Sequence, residues 1–202
     1  MAKYFITGIG TGIGKTLISA ILTEKLKADY WKPIQSGDLD TSDSITIDSL
    51  ISNTQTVIHP ESYRLTQPLS PHLSARLDGI EIDLNKIKTP LTENNLIIEG
   101  AGGLMVPLNE KELIIDLIKK LNVEVILVSQ NYLGSINHTL LSISLLKQYE
   151  IPFKGIIFNG DENVETERYI LQYTKTKKLG SVPSLKSIDK EKVLTAGQNI
   201  FI

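Results

Sequence analysis

The sequence contains no cysteine. Disulfides, thiolate metal centres and cysteine nucleophiles are therefore excluded, and this composition fits a reducing compartment. No stretch of about 18 apolar residues occurs, and residues 1–7 lack the basic and apolar regions of a secretion signal. We therefore expect a cytoplasmic protein without a membrane segment.

Neither sign of charge is in excess, because 21 basic and 23 acidic side chains give a formal net charge of −2. Broad binding of nucleic acid needs a basic face, so we expect no nucleic-acid partner. The three histidines, His59, His72 and His138, are too scattered for a histidine-based metal motif. The G-x-S-x-G pattern of serine hydrolases is absent as well.

The length of 202 residues, with 41% hydrophobic and 22% charged side chains, is typical of one globular domain. We find no linker, repeat or low-complexity tract, and we therefore predict a single domain over residues 1–202. Residues 37–95 are rich in Ser, Thr, Asp and Asn. We expect this polar segment to lie over the active edge of the domain.

Short apolar runs that do not alternate with polar residues are typical of strands covered by helices on both faces. Such runs occupy residues 4–6, 96–98, 123–128 and 156–158, and a more polar fifth run occupies residues 29–34. Between them, apolar residues recur with helical spacing, for example over residues 17–26 and 114–121. The alternation predicts an α/β fold with an open, mostly parallel sheet and helices on both faces.

A glycine-rich segment follows the first predicted strand. Residues 7–16 read Thr-Gly-Ile-Gly-Thr-Gly-Ile-Gly-Lys-Thr, and the helical spacing begins directly afterwards at Leu17. Glycines let backbone N–H groups surround a phosphate, and the helix N-terminus adds positive potential. Lys15 would reach the outer phosphates and the hydroxyl of Thr16 would bind Mg²⁺. The segment predicts a phosphate-binding loop and a P-loop NTPase-like fold.

The spacing of this loop is a variant. In the common pattern G-x-x-x-x-G-K-[ST] the first glycine would stand at Ile9, whereas this chain has Gly8 and Gly10. The dinucleotide pattern G-x-G-x-x-G fails in every frame, because its third glycine is missing. The alternative is a purely structural glycine turn with a solvated Lys15. The strand before the loop and the amphipathic helix after it favour nucleotide binding.

Charged residues also follow other predicted strands, where ligands of open α/β sheets bind. Glu99 stands at the tip of a buried strand, where P-loop proteins carry a Mg²⁺-binding carboxylate, or it could be a helix-capping or surface acid before a flexible turn. Lys32 follows the polar fifth run and could face Lys15, or it could simply be solvated. Asp43 could be a second carboxylate at the Mg²⁺, or it could belong, with Ser42, to a helix N-cap.

A further candidate segment, residues 132–138, follows the strand predicted at 123–128. It opens a helix whose free N–H groups would suit a carboxylate ligand. The alternative is an ordinary helix start capped by Ser135.

Taken together, these segments resemble the dethiobiotin synthetase family, from the first strand to about Leu185. The resemblance is carried by the phosphate loop, Lys32-Pro33 with Ser36-Gly37, Ser42-Asp43, Ser70-Pro71-His72 with Ser74-Ala75, Glu99-Gly100-Ala101-Gly102-Gly103 with Pro107-Leu108, Leu133-Gly134 with Ile136-Asn137-His138, Asn159, and Gly180 with Pro183.

The resemblance implies a Mg²⁺- and ATP-dependent cyclo-ligase. Its substrates would be 7,8-diaminononanoate (7,8-diaminopelargonate), CO₂ or bicarbonate, and ATP. One amine would form a carbamate, ATP would phosphorylate it, and the second amine would close the ureido ring of dethiobiotin with loss of phosphate. The resemblance also implies a homodimer with the substrate site at its interface.

Roles carry over to the matching positions of this chain. The implied catalytic residues are Lys32 and Lys15, and the implied metal ligands are Thr16, Asp43 and Glu99. Nucleotide and cofactor contacts are implied for Gly12, Ile13, Gly14, Lys15, Thr16, Leu17, Asp43, Glu99, Gly100, Ala101, Gly102, Asn159, Gly160, Val182, Pro183 and Ser184. Substrate contacts are implied for Lys32, Ser36, Gly134, Ser135 and Asn137.

Two departures from the family pattern concern the nucleotide. Many members carry an acidic residue where this chain has Gly10 or Gly12, and residues 186–202 look short for the part that builds the nucleobase pocket. The sequence leaves the choice among ATP, GTP and CTP open.

Two other classes compete with the ligase. Regulatory ATPases of plasmid partition and cell division carry a lysine where this chain has Gly10, and residues 197–202 form no basic amphipathic membrane helix. GTP-binding switch proteins need Asn-Lys-x-Asp, but Asn85 and Lys86 are followed by Ile87 and Lys88. We therefore favour the ligase and keep the regulatory ATPase as the alternative.

Overall fold

A computed structural model describes all residues from Met1 to Ile202. Its nine strands are β1 (Lys3–Gly8), β2 (Asp29–Trp31), β3 (Ile34–Ser36), β4 (Ile58–His59), β5 (Tyr63–Leu65), β6 (Leu96–Gly103), β7 (Glu124–Gln130), β8 (Phe153–Asn159) and β9 (Lys178–Val182). Its seven α-helices are α1 (Lys15–Leu26), α2 (Asp43–Leu50), α3 (Pro71–Leu77), α4 (Ile114–Leu121), α5 (Ser135–Gln148), α6 (Val164–Thr174) and α7 (Lys190–Gly197). Short 3₁₀ helices cover Leu39–Thr41 and Leu84–Lys86.

Seven strands form one sheet in the order β4-β2-β6-β1-β7-β8-β9, and every neighbouring pair is parallel. The predicted open parallel sheet is therefore confirmed. The strand β1 lies at its centre, between β6 and β7. All carboxyl ends of a parallel sheet lie at one edge, so the loops after these strands meet there.

Apolar residues on both faces of the sheet form the core. Along β1, Tyr4 and Ile6 pack into a cluster of 20 buried residues with α1, α2 and α7, while Phe5 packs into a second cluster of 20 with α4. A smaller cluster lies under α5 and α6. Helices therefore cover both faces, as the continuous apolar runs predicted. None of the helices combines the length and apolarity needed to cross a bilayer.

The run predicted as one strand over residues 29–34 is divided in two. Only β2 belongs to the large sheet, whereas β3 pairs with β5 in a separate two-stranded sheet. Between them lie Lys32 and Pro33, and the carbonyl of Pro33 accepts hydrogen bonds from the N–H groups of Ser62 and Tyr63. Proline lacks the N–H that would continue the ladder, which explains why the chain leaves the large sheet here.

Candidate active site

The phosphate loop joins β1 to α1. Gly14 precedes α1 with a φ of 92°, and a Cβ there would lie 2.2 Å from Nδ2 of Asn159. Only glycine therefore fits both the backbone conformation and the space. The side chain of Ile13 is buried and covers Gly8, where a Cβ would lie 2.3 Å from its Cδ1. The apolar residue inside the loop thus anchors it to the core.

No side chain caps the start of α1, and its first turn holds no acidic residue. The first N–H groups of the helix, those of Lys15, Thr16 and Leu17, have no intrahelical acceptor. The Nζ of Lys15 donates a hydrogen bond of 2.9 Å to the carbonyl of Gly10 and so lies across the loop. Unpaired N–H groups, a helix dipole and an ammonium group together form an anion site.

Burial is the main cause that lowers the pKa of Lys15, to about 8. The carboxylate of Glu99 opposes this change, whereas the ammonium of Lys32 adds to it. A bound polyanion would favour the charged form of Lys15, because opposite charges stabilise one another most strongly where water is excluded.

Thr16 lies between two carboxylates. Its Oγ1 is 2.7 Å from Oδ1 of Asp43 and 3.0 Å from Oε1 of Glu99. A hydroxyl has one proton, so it can donate to only one of these oxygens at a time. Three side-chain oxygens from three different elements therefore converge at the beginning of α1.

Lys32 bridges the same two carboxylates. Its Nζ contacts Oδ2 of Asp43 and lies 3.2 Å from Oε1 of Glu99. Burial lowers the pKa of Lys32, but the charges of Glu99 and Asp43 raise it by more, so it lies above its ordinary value. Burial likewise raises the pKa of Asp43, but the charge and hydrogen bond of Lys32, together with Thr16 and Lys15, bring it below its ordinary value. The side chain of Lys32 is 6% exposed and that of Glu99 only 1%, so the ion pairs lie largely out of water.

The structure places Ser42, and not Asp43, at the N-cap of α2. Ser42 is the N-cap of α2 and accepts a hydrogen bond from the N–H of Ile45, which leaves Asp43, the first helical residue, free to face Thr16. The N–H of Asp43 donates to Oε1 of Gln35, and Nε2 of Gln35 donates to the carbonyl of Gly37. The strand β3 therefore helps to hold this carboxylate in place.

The sequence did not predict that Gln35 and Tyr30 belong to the site. Gln35 carries no charge and stands in a short strand, and Tyr30 looks like an ordinary core aromatic. The hydroxyl of Tyr30 donates a 3.0 Å hydrogen bond to Oε2 of Glu99. Burial, followed by the charges of Glu99 and Asp43, raises the pKa of Tyr30 well above its ordinary value, so the phenol stays a donor. Side chains alternate between the two faces of a strand, so Tyr30 and Lys32 lie on the same face. This alternation is the signal that could have indicated Tyr30 as a residue of the site.

The donor set suits Mg²⁺. This ion prefers oxygen ligands and is commonly held by one or two carboxylates together with substrate phosphates and water. The oxygens of Thr16, Asp43 and Glu99 meet that description beside the anion site. No group of three or more His, Cys, Asp and Glu side chains is placed to form an all-protein metal cage. A metal here would need the phosphates as ligands.

Other predicted residues lie at the same edge of the sheet. Gly100, Ala101 and Gly102 continue β6 after Glu99, and Asn159 ends β8. Nδ2 of Asn159 donates a 2.9 Å hydrogen bond to the carbonyl of Ile13. Gly160 follows with its N–H bonded to the carbonyl of Val182, the last residue of β9. Val182 itself is buried, whereas the two residues after it, Pro183 and Ser184, are exposed.

The segment at the start of α5 makes no hydrogen bond to this cluster. Gly134 is the N-cap of α5 and Asn137 is exposed. Ser135 is buried, its hydroxyl accepts a bond from the N–H of Tyr132, and its own N–H donates to the Tyr132 carbonyl. The side chain of Ser135 therefore braces the turn, and it does not cap the helix.

The loop, the anion site and the oxygen cluster define a P-loop nucleotide-binding protein. The family model of the AAA domain matches residues 2–192. Two relatives named "ATP-dependent dethiobiotin synthetase BioD" are similar over most of their length. That of Christiangramia forsetii is 56% identical over 94% of this chain and 88% of its own, and that of Cytophaga hutchinsonii is 53% identical over 100% and 98%. The chain therefore belongs to the dethiobiotin synthetase family.

Solved structures support the fold. The cell division ATPase MinD of Pyrococcus furiosus matches with a TM-score of 0.64 over 98% of both chains, at 12% identity. MinD of Pyrococcus horikoshii, in complex with Mg-ADP, matches with a TM-score of 0.62 over 96% of this chain and 86% of its own, at 15% identity. At such low identity these likenesses concern the fold alone.

The chain covers different shares of its relatives. Its alignment includes all 202 residues and 98% of the Cytophaga protein, but 88% of the Christiangramia protein and 89% of that of Agrobacterium fabrum. That residues 186–202 are short for the family stays a prediction.

Proposed function

We propose that the chain is an ATP-dependent dethiobiotin synthetase. It carboxylates 7,8-diaminononanoate with CO₂ and closes the ureido ring at the expense of ATP. One amine adds to CO₂ and loses a proton to give a carbamate, whose oxygen takes the γ-phosphoryl group and releases ADP. The second amine then attacks the carbamate carbon and expels phosphate, which forms the second C–N bond. Family membership, at 44–56% identity to several relatives of that name, supports the reaction.

The observation that carries the site assignment is the bridge of Lys32 between Asp43 and Glu99 beside Thr16. In our proposal Lys32 exchanges one carboxylate contact for the carbamate and the transferring phosphoryl group. Lys15 and the N–H groups at the start of α1 hold the phosphates. Removal of one preorganised charge of this kind typically costs about 3 kcal/mol, or 10² to 10³ in rate.

Thr16, Asp43 and Glu99 would hold Mg²⁺. When bound, the ion neutralises charge on the phosphates as the phosphoryl group is transferred. The protein needs no nucleophile of its own, since carbamate and ring-closing amine belong to one molecule. Positioning them can supply about 7 to 11 kcal/mol through effective molarity.

Ser36 supports the placement of the acceptor. Its hydroxyl is buried and has no partner in the protein, although it stands at the end of β3 next to Gln35, which contacts Asp43. A buried polar group without a partner costs free energy, so a ligand that supplies one is favoured. We propose that Ser36 contacts the substrate.

We propose that Asn159 contacts the nucleobase. One N–H of its Nδ2 is bonded to the carbonyl of Ile13, which leaves its oxygen as an acceptor and its second N–H as a donor. The oxygen would accept from the amino group of adenine. In our proposal Gly160 and residues 182–184 complete this pocket.

We further propose a homodimer in which Gly134, Ser135 and Asn137 bind the substrate carboxylate of the partner subunit. The start of α5 supports this proposal, because Leu133 is fully exposed and Tyr132 and Leu141 are partly exposed. Exposed apolar residues around a helix N-terminus are what an anion-binding interface needs. Leu133→Asp should convert a dimer to a monomer in light scattering, while Leu194→Asp, at an exposed apolar site on α7, should not.

The decisive experiment follows phosphate release and the product mass. Release from ATP should require both bicarbonate and the diamine, and mass spectrometry should find dethiobiotin. A regulatory ATPase would hydrolyse ATP without either compound, and that result would reject the ligase.

A further inference from the structure

We propose that Tyr30 is a positioning residue that turns Glu99 into a one-oxygen ligand and thereby favours Mg²⁺ over Ca²⁺. The inference rests on the proposed function, in which Glu99 helps to hold Mg²⁺. Its basis is the 3.0 Å hydrogen bond from the Tyr30 hydroxyl to Oε2 of Glu99, between two side chains that are almost completely buried.

The sheet brings these two side chains together. In the parallel pairing of β2 with β6, Tyr30 stands opposite Ile97 and Trp31 opposite Ile98. Successive side chains of a strand point to opposite faces, so Glu99 lies on the face of Ile97, two positions beyond it. The long tyrosine side chain spans this offset along the strand direction.

The two oxygens of Glu99 therefore have different hydrogen-bond partners. Oε2 accepts from Tyr30, while Oε1 faces Thr16 at 3.0 Å and Lys32 at 3.2 Å. A rotation that turned both oxygens toward one ion would move Oε2 away from the buried hydroxyl of Tyr30 and weaken this hydrogen bond. The ring of Tyr30 packs within an apolar core cluster, which holds its hydroxyl at Oε2 of Glu99.

This constraint selects between cations. Mg²⁺ demands near-ideal octahedral geometry at short distance and takes single carboxylate oxygens, whereas Ca²⁺ accepts bidentate carboxylates and longer, irregular coordination. A Glu99 that offers one oxygen to the metal suits Mg²⁺ better than Ca²⁺. Hydrogen-bond partners of metal ligands commonly change metal affinity by 10- to 100-fold.

The test is Tyr30→Phe, which removes only the hydroxyl. The readout is the rise in melting temperature that ADP produces while Mg²⁺ or Ca²⁺ is titrated, with ADP in EDTA as the metal-free reference. We expect the apparent Mg²⁺ affinity to fall at least about tenfold and the preference for Mg²⁺ over Ca²⁺ to shrink. The shift by ADP in EDTA should stay unchanged.

Tyr4→Phe is the matched control. Tyr4 is a buried tyrosine of the same core cluster, but it stands on β1 near Lys154. This variant should keep the Mg²⁺ response of the unmodified protein. Circular dichroism verifies that both variants are folded.

Three results would overturn the inference. If the unmodified protein responds to Mg²⁺ and Tyr30→Phe responds equally, Tyr30 does not position the ligand. If the variant loses the shift in EDTA to the same degree, its role is general support of the fold. If the unmodified protein itself shows no Mg²⁺ response, the proposed metal site fails and the inference fails with it, whereas the ligase reaction can still be detected by product mass.

Discussion

Asn159, at the end of β8, donates a 2.9 Å hydrogen bond to the carbonyl of Ile13 and so fastens the phosphate loop to the neighbouring part of the sheet. The amide that makes this bond stands where a side chain on Gly14 would lie. The side chain of Asn159 therefore both holds the loop and requires glycine at position 14.

Gly14→Ala should damage this arrangement. Its Cβ would meet Nδ2 of Asn159 at 2.2 Å, and alanine is strained at a φ of 92°. We expect a loss of about 1 to 3 kcal/mol in the free energy of unfolding, with weaker ATP binding. Gly10→Ala is the control, since a Cβ there meets nothing within 4 Å. Equal melting temperatures for the two variants would contradict the assigned role of Asn159.

Thr16→Val keeps the shape of the side chain and removes the oxygen between Asp43 and Glu99. We expect the Mg²⁺-dependent part of ATP affinity to fall at least about tenfold, while binding in EDTA changes little. Calorimetric titration in both conditions measures the difference. Thr16→Ser retains the hydroxyl and should restore the Mg²⁺ effect, and a valine variant as responsive as the serine variant would exclude Thr16 as a ligand.

Lys32→Ala should lower turnover by at least about 10²-fold while nucleotide binding stays largely intact. The ammonium group is assigned to the reacting groups, whereas Lys15 and the start of α1 bind the phosphates. Lys154→Ala, at the opposite edge of the sheet near the start of β8, is the control. Steady-state kinetics with all three substrates gives the comparison, and unchanged turnover would remove Lys32 from the mechanism.

Glu24 on α1 should link stability to pH. Its Oε2 accepts bonds from the N–H groups of Ser52 and Asn53 and from Nδ2 of Asn53. Burial raises the pKa of Glu24, but these bonds lower it by more, below the ordinary value of 4.5. The stabilisation is therefore complete above that pH and is lost as the pH falls through the lowered pKa.

Glu24→Gln should accordingly lower the free energy of unfolding by about 1 kcal/mol at pH 7, because a charge-assisted bond becomes a neutral one. The difference from the unmodified protein should shrink as the pH falls below 4.5. Urea titrations at several pH values measure it. Glu93→Gln, at an exposed glutamate, should show neither effect. A difference that stays constant with pH would contradict the linkage.

Much of the site could be predicted from the sequence, because the apolar runs identify the strands and ligands bind where parallel strands end. That reasoning predicted that Lys15, Lys32 and Glu99 lie at one edge of the sheet. The structure places all three there. It could not choose between the two interpretations of Asp43, since a helix cap and a metal ligand can be adjacent residues.

Other features depend on tertiary context. The apolar runs do not predict β9, because Gly180 interrupts its short apolar run. The helix α7 was not predicted either, because its sequence is only weakly amphipathic. The bond between Tyr30 and Glu99 depends on the register of β2 against β6, which the sequence of neither strand reveals.

The chain leaves the large sheet after β2, so the residues that follow Lys32 belong to a different sheet from the residues beside the phosphate loop. Ser36, at the end of β3, belongs to the small β3-β5 sheet, whereas the strands next to Lys15 and Glu99 pair within the large one. Substitutions in β3 and β5 should therefore change the proposed acceptor contact without breaking a strand pairing at the phosphate loop. These two strands are the place to adapt the protein to diamines of other chain lengths.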